Sequence, residues 1–108
     1  MTENALEIIR HAMDEKLAQD IRVLDFRSNS PFVDYFVICT ARNEANAGAI
    51  LDEMEEKLYE AGYTVDHIDR TSGSGWFLLE AGGVLAHVFW GGSREYYGLE
   101  ELWKDLLI

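Results

Sequence analysis

One stretch of the chain decides the fold: Phe32-Val33-Asp34-Tyr35-Phe36-Val37-Ile38-Cys39-Thr40. Its apolar residues are nearly continuous, which is typical of a central strand that is covered on both faces. The turn-forming residues 28–31, Ser-Asn-Ser-Pro, separate it from another strand pattern at residues 21–27. Because this connection is short, we expect the two strands to pair antiparallel.

Apolar spacing predicts two helices around this pair of strands. The first covers about residues 2–18, with Leu6, Ile9, Met13 and Leu17 on its apolar stripe. The second covers about residues 43–61 and ends before Gly62. Its apolar stripe consists of Ala47, Ile50, Leu51, Met54 and Leu58. A strand at 63–69 follows, and it is expected to lie parallel to the strand at 32–40.

The C-terminal third predicts a hairpin and a last helix. Strands at 76–80 and 84–90 are joined by Ala81-Gly82-Gly83, a sequence typical of a hairpin turn. The last helix covers about residues 96–107, and Gly98 weakens its first turn. Its core-facing residues are expected to be Leu99, Leu102, Trp103 and Leu106. The order α-β-β-α-β-β-β-α indicates an α/β fold, with one mixed sheet of about five strands flanked by helices.

Length and charge limit the possible partners. A chain of 108 residues with 48% hydrophobic and 27% charged residues is expected to form a single domain, residues 1–108. Nine basic and 20 acidic side chains give a net charge of −11. Nucleic-acid phosphates would repel such a chain, whereas a basic protein would attract it. We therefore expect a protein partner and no sequence-specific nucleic acid, although acidity also serves solubility in many proteins.

The sequence gives no signal for a compartment other than the cytoplasm. The N-terminus lacks the basic start and apolar core of a signal peptide. The longest nearly apolar run, residues 84–90, is too short to cross a bilayer, so no membrane partner is expected. The single cysteine, Cys39, cannot form an internal disulfide, and its apolar surroundings indicate a buried, unreactive thiol.

No catalytic constellation is recognisable in the sequence. His11 is expected near the surface, and His67 and Asp69 share a strand face without a third metal ligand nearby. His87 lies among apolar residues, where a core histidine with one hydrogen-bond partner is more common than a catalytic base. Gly91-Gly92-Ser93 is similar to the Gly-Ser turn of nucleotidyltransferases, but the chain contains no Asp-x-Asp pair to hold metal ions.

Two further carboxylates are candidates for catalysis. Asp25 and Asp34 could face each other across the first hairpin. The simpler interpretation places one charge at a sheet edge and the other at a turn. We therefore predict no catalytic residue, no metal and no cofactor.

Aromatic residues point instead to protein binding. Trp76 begins a strand after a Gly/Ser turn, where its ring would lie partly exposed at the end of the sheet. Tyr96 and Tyr97 are adjacent at the start of the last helix, so they cannot both face the core. Tyrosine and tryptophan are enriched at interface hot spots, and this group therefore suits a protein interface.

Several of these segments together resemble the Iojap/RsfS family, the ribosomal silencing factors. They are Asp34-Tyr35-Phe36-Val37-Ile38-Cys39-Thr40, Gly75-Trp76, His87-Val88-Phe89 and the ending REYYGLEELW at residues 94–103. The resemblance covers nearly the whole chain in order. It implies a fold similar to nucleotidyltransferases but without their catalytic acids, and no enzymatic activity. It also implies binding to the large ribosomal subunit through that subunit's fourteenth protein. Such binding blocks joining of the small subunit and represses translation when nutrients are limiting.

The resemblance further implies a contact surface. On this sequence that surface consists of Trp76, Ala81, Gly82, Gly83, Tyr96, Tyr97, Gly98 and Leu99. Three of these positions depart from the usual pattern. A larger apolar residue is common at Ala81, an aspartate at Gly83 and an asparagine at Gly98. Each departure leaves a smaller side chain for contact.

Two other functional classes remain open. One is a nucleotide-binding or nucleotidyltransferase-like enzyme that uses the ancestral cleft of the fold, which metal-dependent nucleotide binding would reveal. The other is a self-associating module, because edge strands and exposed aromatic residues also suit a homodimer. A mass that rises with concentration would reveal the homodimer, which is compatible with ribosome binding.

Overall fold

The fold is described by a computed structural model for residues 2–108, with side chains described from residue 5 onward. The main body contains α1 (Thr2–Glu15), β1 (Gln19–Asp25), β2 (Tyr35–Thr40), α2 (Glu44–Glu60), β3 (Val65–Asp69), β4 (Trp76–Ala81) and β5 (Val84–Phe89). The C-terminal segment contains α3 (Ser93–Tyr97), α4 (Leu99–Leu102) and a 3-10 turn (Lys104–Leu106). No helix in this described part of the chain is long and apolar enough to span a bilayer.

The strands form one mixed sheet of five strands in the order β1-β2-β5-β4-β3. β1 and β2 pair antiparallel, as predicted from their short connection. β3 runs in the same direction as β2, but it is an edge strand and pairs antiparallel with β4. The parallel neighbour of β2 is therefore β5, not the strand predicted at 63–69. The tight glycine hairpin keeps β4 beside β5, so these two strands lie between β2 and β3.

Helices α1 and α2 cover one face of the sheet and form the main core with it. Alternate residues of β4, namely Phe77, Leu79 and Ala81, belong to this core. The predicted stripe of α2 is confirmed, because all of its members are fully buried: Ala47, Ile50, Leu51, Met54 and Leu58. Asn43 caps α2, and its side chain accepts a hydrogen bond from the N–H of Asn46 at 2.8 Å.

The C-terminal segment packs on the opposite face of the sheet, over β1 and β2. Leu99, Leu106 and Leu107 contact a second, smaller core that includes the fully buried Leu24 and Ile38. Leu107 also forms an antiparallel bridge with Leu24. The end of the chain therefore contributes both to the core and to the outer edge of β1, which reduces the unpaired backbone that an edge strand exposes.

Helix α1 ends at Glu15, three residues earlier than predicted. Leu17 has a φ of 63° and donates its N–H to the carbonyl of Asp14 at 3.0 Å, while Ala18 donates to Met13 at 2.9 Å. This pair of hydrogen bonds is a Schellman motif, which turns the chain out of the helix. Leu17 is 68% exposed as a result, so its predicted place on the apolar stripe is wrong. The other predicted stripe residues of α1 are buried.

The loop between β1 and β2 is longer than predicted, so β1 ends at Asp25 and β2 begins at Tyr35. The side-chain oxygen of Ser30 accepts hydrogen bonds from the N–H groups of Phe32 and Val33, at 3.1 and 3.2 Å. These bonds hold the two residues in a turn rather than in the sheet. Phe32 is consequently 83% exposed.

The predicted final helix is broken at Gly98 into α3 and α4. Gly98 has a φ of 62° and donates its N–H back into α3, so the helical path stops there and restarts. Leu102 is 67% exposed and Trp103 is 39% exposed, so the prediction that both face the core is wrong. Leu99 and Leu106 do pack against the second core, half-buried.

We expect Gly98→Ala to lower the free energy of unfolding by roughly 1–2 kcal/mol, the cost of a left-handed conformation for an L-residue. Space is not the reason, since a Cβ at this position would lie 3.8 Å from the nearest atom. Denaturant titration would measure the loss. Gly98→Asn is the matched control, because asparagine tolerates this conformation better and should lose less. Equal losses in the two variants would contradict an origin in the backbone conformation.

Candidate functional site

An aromatic cluster lies where the C-terminal segment meets the sheet. We define it by its members: Phe36, Trp76, His87, Phe89, Tyr96 and Tyr97. Strands β2, β4 and β5 supply the first four, and α3 supplies the two tyrosines. The cluster therefore depends on the docking of α3 as well as on the sheet.

Trp76 occupies the centre of the aromatic cluster. Its ring centre lies 5.1 Å from that of Phe89, 5.8 Å from His87 and 4.6 Å from Tyr97. Tyr97 in turn meets Tyr96 edge-on at 5.1 Å. Offset and edge-on contacts at these distances are the arrangements that aromatic rings prefer. The rings therefore form one continuous packed surface.

Exposure increases outward through the cluster. Phe89 is 1% exposed and Trp76 is half-buried, whereas Tyr97 is 46% and Tyr96 is 83% exposed. The predicted partial exposure of Trp76 is confirmed, and neither tyrosine faces the core. Exposed aromatic side chains on a well-packed base are typical of the hot spots of protein interfaces.

His87 lies beneath Trp76 and is 3% exposed. Its Nδ1 accepts a hydrogen bond from the indole N–H of Trp76 at 3.2 Å. Burial lowers the pKa of His87 to about 3, so the ring is neutral near pH 7 and its proton lies on Nε2. That nitrogen has no hydrogen-bond partner within the described part of the chain. The predicted core histidine with one partner is thus confirmed.

Arg94 joins the C-terminal segment to the sheet. Its Nε and Nη2 donate to the two carboxylate oxygens of Glu100 at 2.7 and 3.1 Å, and its Nη1 donates to the hydroxyl of Thr40 at 2.8 Å. The side chain is only 11% exposed. Because Arg94 and Glu100 lie on either side of Gly98, this fork holds α3, α4 and β2 together. The sequence does not predict this role of Arg94. Arg94 and Glu100 lie on either side of a helix break, so their spacing follows neither a helical nor a strand period.

The glycine hairpin lies at the other end of β4 from Trp76. β4 begins at Trp76 and ends at Ala81, a distance of about 17 Å at the usual rise of a strand. The predicted contact surface is therefore divided into two parts. Ala81 is fully buried in the core beneath α1 and α2, so its side chain is not exposed at this end, and the contact predicted for the turn stays a prediction.

The two glycines of the hairpin are enclosed by neighbouring side chains. Gly82 has a φ of 58°, and a Cβ there would lie 2.9 Å from that of Ala5 and 3.1 Å from the ring of Tyr63. Gly83 has a φ of 81°, and a Cβ there would lie 2.7 Å from a carboxylate oxygen of Asp34. A side chain at Gly82 would clash, one at Gly83 would require the Asp34 carboxylate to move, and the positive φ strains a substitution at either position. Asp34 thus occupies the space that a side chain at position 83 would need.

The histidines and acids considered for a metal site are not brought together. His11 is exposed on α1, and His67 is exposed on the edge strand β3. The carboxylate of Asp69 accepts hydrogen bonds from the hydroxyl and N–H of Thr71, which lower the pKa of Asp69. Among the side chains of residues 5–108, no group of three or more histidine, cysteine or acidic residues could hold a metal ion.

The remaining candidates for chemistry have structural partners. Arg27 donates two side-chain hydrogen bonds to Asp25, at 2.8 and 3.0 Å, and these bonds lower the pKa of Asp25 to about 2. Asp34 lies against the hairpin turn, and its N–H donates to the carbonyl of Gly83 at 2.7 Å. Cys39 is fully buried, and burial raises its pKa to about 12, so the prediction of a buried, unreactive thiol is confirmed.

A cleft of about 600 Å³ opens near the carboxyl ends of β2 and β5, a position where α/β sheets often bind ligands. Arg94 is the one base among the described residues that line it, and its guanidinium is already bonded to a carboxylate. The acidic lining residues are Asp20, Glu95, Glu100 and Glu101. Four carboxylates and no free base disfavour the phosphates of a nucleotide.

Comparison with protein families and relatives supports the resemblance seen in the sequence. A family model described as "Ribosomal silencing factor during starvation" matches residues 1–106. The ribosomal silencing factor RsfS of Bacillus subtilis is 36% identical over 103 residues, which cover 95% of this chain and 87% of that protein. RsfS of Halalkalibacterium halodurans is 31% identical over 103 residues, with 95% and 88% covered. The chloroplastic protein Iojap of Zea mays is 34% identical over 94 residues, with 87% and 41% covered.

Solved structures share the fold. A crystal structure of a protein from Bacillus halodurans has a TM-score of 0.85 and 29% identity, and covers 98% of this chain and 97% of its own. A crystal structure of a protein from Chromobacterium violaceum has a TM-score of 0.90 and 24% identity, with 96% and 87% covered. At that identity the second similarity shows the fold alone. The predicted fold class, a single α/β domain with a mixed sheet, is confirmed.

Proposed function

We propose a function from the premise that this chain belongs to the RsfS family, the ribosomal silencing factors: it binds the large ribosomal subunit and prevents the small subunit from joining. The observation that carries this proposal is the family match over residues 1–106. The contact on the large subunit is its fourteenth protein. Translation is thereby repressed when nutrients are limiting, in keeping with the description of the family.

The charge of the chain supports a basic protein as the direct contact. Its net charge of −11 favours encounter with a basic ribosomal protein and disfavours docking on ribosomal RNA. Acidic side chains crowd α2, on the side of the sheet away from the aromatic cluster: Asp52, Glu53, Glu55, Glu56 and Glu60. These charges add to the long-range attraction for a basic partner but lie on the face away from the cluster. The carboxylates beside α3, Glu95, Glu100 and Glu101, lie on the side of the cluster and favour its approach to a basic surface.

The aromatic cluster supports a specific contact surface. Trp76, Tyr96 and Tyr97 are exposed or half-buried members of the cluster, as is Phe36, and Leu99 follows the tyrosines across Gly98. The turn formed by Gly82 and Gly83 lies about 17 Å away along β4. A standard interface covers about 800 Å² on each partner, or roughly 30 Å across, so one partner reaches both parts. Ala81 contributes to this surface only by supporting the strand from within the core.

The chemistry of the described residues supports a role without catalysis. The named relatives are silencing factors. His87, the most buried histidine, is bonded to Trp76, and the cleft near β2 and β5 is lined by carboxylates. We therefore propose that the chain acts by occupying a surface of the ribosome.

The test is a subunit-joining assay by light scattering. Purified protein added to separated subunits should reduce the formation of whole ribosomes in a dose-dependent way, whereas preformed ribosomes should resist it. In the same preparation, the protein should co-sediment with isolated large subunits and not with small subunits. The mass of the free protein is measured over a range of concentrations, because formation of a homodimer would change the concentration of protein that is available to bind the subunits. Unchanged joining at a saturating dose would contradict the proposal.

A further inference from the structure

The buried histidine of the aromatic cluster, His87, makes a hydrogen bond that packing alone does not explain. We propose that His87 is a positioning residue, which sets the orientation of the Trp76 ring for binding to the large ribosomal subunit. This inference rests on the proposed function. It assigns the role to one atom, Nδ1 of His87, which accepts the indole N–H of Trp76 at 3.2 Å.

The backbone fixes both ends of this hydrogen bond. Trp76 pairs with Phe89 across β4 and β5, and His87 pairs with Leu78 two residues along the same ladder. The two side chains therefore lie diagonally on one face of the sheet, within reach of each other. The ring of Phe36 lies 4.6 Å from that of His87 on the opposite side, which restricts the imidazole. The acceptor is thus held by the sheet before any partner binds.

The two nitrogens of His87 have opposite effects on the free protein. Nε2 carries the proton, is buried and has no partner in the described part of the chain. A buried donor without a partner is destabilising, and an apolar side chain at this position would avoid that loss. Nδ1, in contrast, makes a bond to Trp76 that no apolar side chain can make. The arrangement therefore favours a role at Nδ1 over a role in packing.

The bond also determines what Trp76 presents to a partner. Indole has a single hydrogen-bond donor and no acceptor, and here that donor is directed inward. The outward edge of the ring consists only of carbon atoms. The surface that receives Trp76 is therefore apolar and needs no hydrogen-bond acceptor. Without His87 the indole N–H would need a water molecule as its acceptor, and the Trp76 ring would lose this fixed orientation.

Two variants separate the atoms of His87. His87→Phe keeps a planar ring but removes the acceptor, whereas His87→Asn places an oxygen close to the position of Nδ1. We expect His87→Phe to weaken binding to isolated large subunits about tenfold, the loss that corresponds to one hydrogen bond. His87→Asn should restore most of the affinity. The melting temperature of His87→Phe should equal or exceed that of the parent, because the unpartnered Nε2 donor is gone.

A spectroscopic measurement follows the bond without the ribosome. The indole N–H signal of Trp76 is assigned by its disappearance in Trp76→Phe. This N–H should exchange slowly with water in the parent and in His87→Asn, and faster in His87→Phe. A nitrogen-detected spectrum of the parent should show the Nε2-protonated, neutral ring of His87.

The outcomes distinguish this role from the proposed function. A parent protein that does not bind large subunits would overturn the proposed function, and this role with it. If the parent binds, parental affinity in His87→Phe would overturn the role of His87 alone. Affinity in His87→Asn as low as in His87→Phe, or unchanged indole exchange in His87→Phe, would also overturn it.

Discussion

Trp76→Ala should weaken the proposed binding to the fourteenth protein of the large subunit by roughly 1–3 kcal/mol, as expected for a residue that anchors an interface. The reason is its position at the centre of the aromatic cluster, in contact with both the sheet and α3. Its ring also packs against Phe89 and Tyr97, so some stability will be lost. That loss should remain below the roughly 3–5 kcal/mol of a fully buried tryptophan, because Trp76 is only half-buried. Titration calorimetry and thermal melts measure the two effects separately.

Tyr97→Ala should give a loss of binding in the same range. The rings of Trp76 and Tyr97 lie 4.6 Å apart, so the double variant should lose less than the sum of the two single losses. Tyr59→Ala is the matched control. Tyr59 is 82% exposed on α2, on the other side of the sheet, and its removal should leave binding unchanged.

A core variant is needed to separate binding from folding. Leu102, which the sequence predicts to face the core, is not suitable because it is 67% exposed. Leu58 is fully buried on α2, and Leu58→Ala should lower the free energy of unfolding by roughly 2–5 kcal/mol while its folded fraction binds like the parent. The assignment of Trp76 and Tyr97 as anchors is wrong if their alanine variants melt as early as Leu58→Ala and their folded fractions bind like the parent.

The parts of the fold that sequence predicted well are those governed by periodic burial. The apolar residues of α2 recur at helical spacing because one side of that helix packs on the sheet, and hydrophobic residues on that side are buried there. The hairpin of β4 and β5 is predictable because its turn requires positive φ angles, which glycine adopts readily. Gly82 and Gly83 have φ angles of 58° and 81°. Both signals depend only on residues that are close together in the sequence, so they can be recognised without the structure.

The errors in the fold come from backbone breaks that carry weak local signals. Leu17 adopts the left-handed conformation that ends α1, a position usually taken by glycine, so the helical pattern seemed to continue through it. Gly98 is a glycine, but one glycine in a helical pattern predicts only a weaker helix. The bonds from Arg94 to Glu100 and Thr40 make the break at Gly98 favourable, and these contacts exist only after folding.

The exposure of single residues in the aromatic cluster was predictable from the sequence, but the contacts between these residues were not. The exposure of Trp76 and Tyr97 followed from local sequence, yet their contact joins residues 21 positions apart and requires α3 to dock on the sheet. The burial of the Ala81 side chain could have been predicted from the sequence. Ala81 lies five residues after Trp76 on one strand, and an odd spacing places two side chains on opposite faces.

Arg94→Met should lower the free energy of unfolding by roughly 2–4 kcal/mol. Removing one partner of a buried ion pair costs about 3–5 kcal/mol, because the other charge is left without compensation. The value expected here is lower, since the Glu100 side chain is 28% exposed and water screens part of its charge. Denaturant titration measures the loss. Arg10→Met is the matched control, because Arg10 is 51% exposed and lies 3.6 Å from Glu7, and it should change stability little.

Hydrogen exchange would show where the Arg94→Met variant loosens. The N–H groups of Leu102 and Trp103 bond to carbonyls at 3.0 Å within the segment that Arg94 holds. They should exchange much faster in the variant, while the N–H groups of β2 and β5 keep most of their protection, because the main core does not involve Arg94. Binding to the large subunit should weaken as well, since α3 carries Tyr97 to Trp76. If the C-terminal and sheet N–H groups lose protection equally, or if Arg94→Met is as stable as Arg10→Met, the fork does not hold the segment. The aromatic cluster would then be assembled by apolar packing alone.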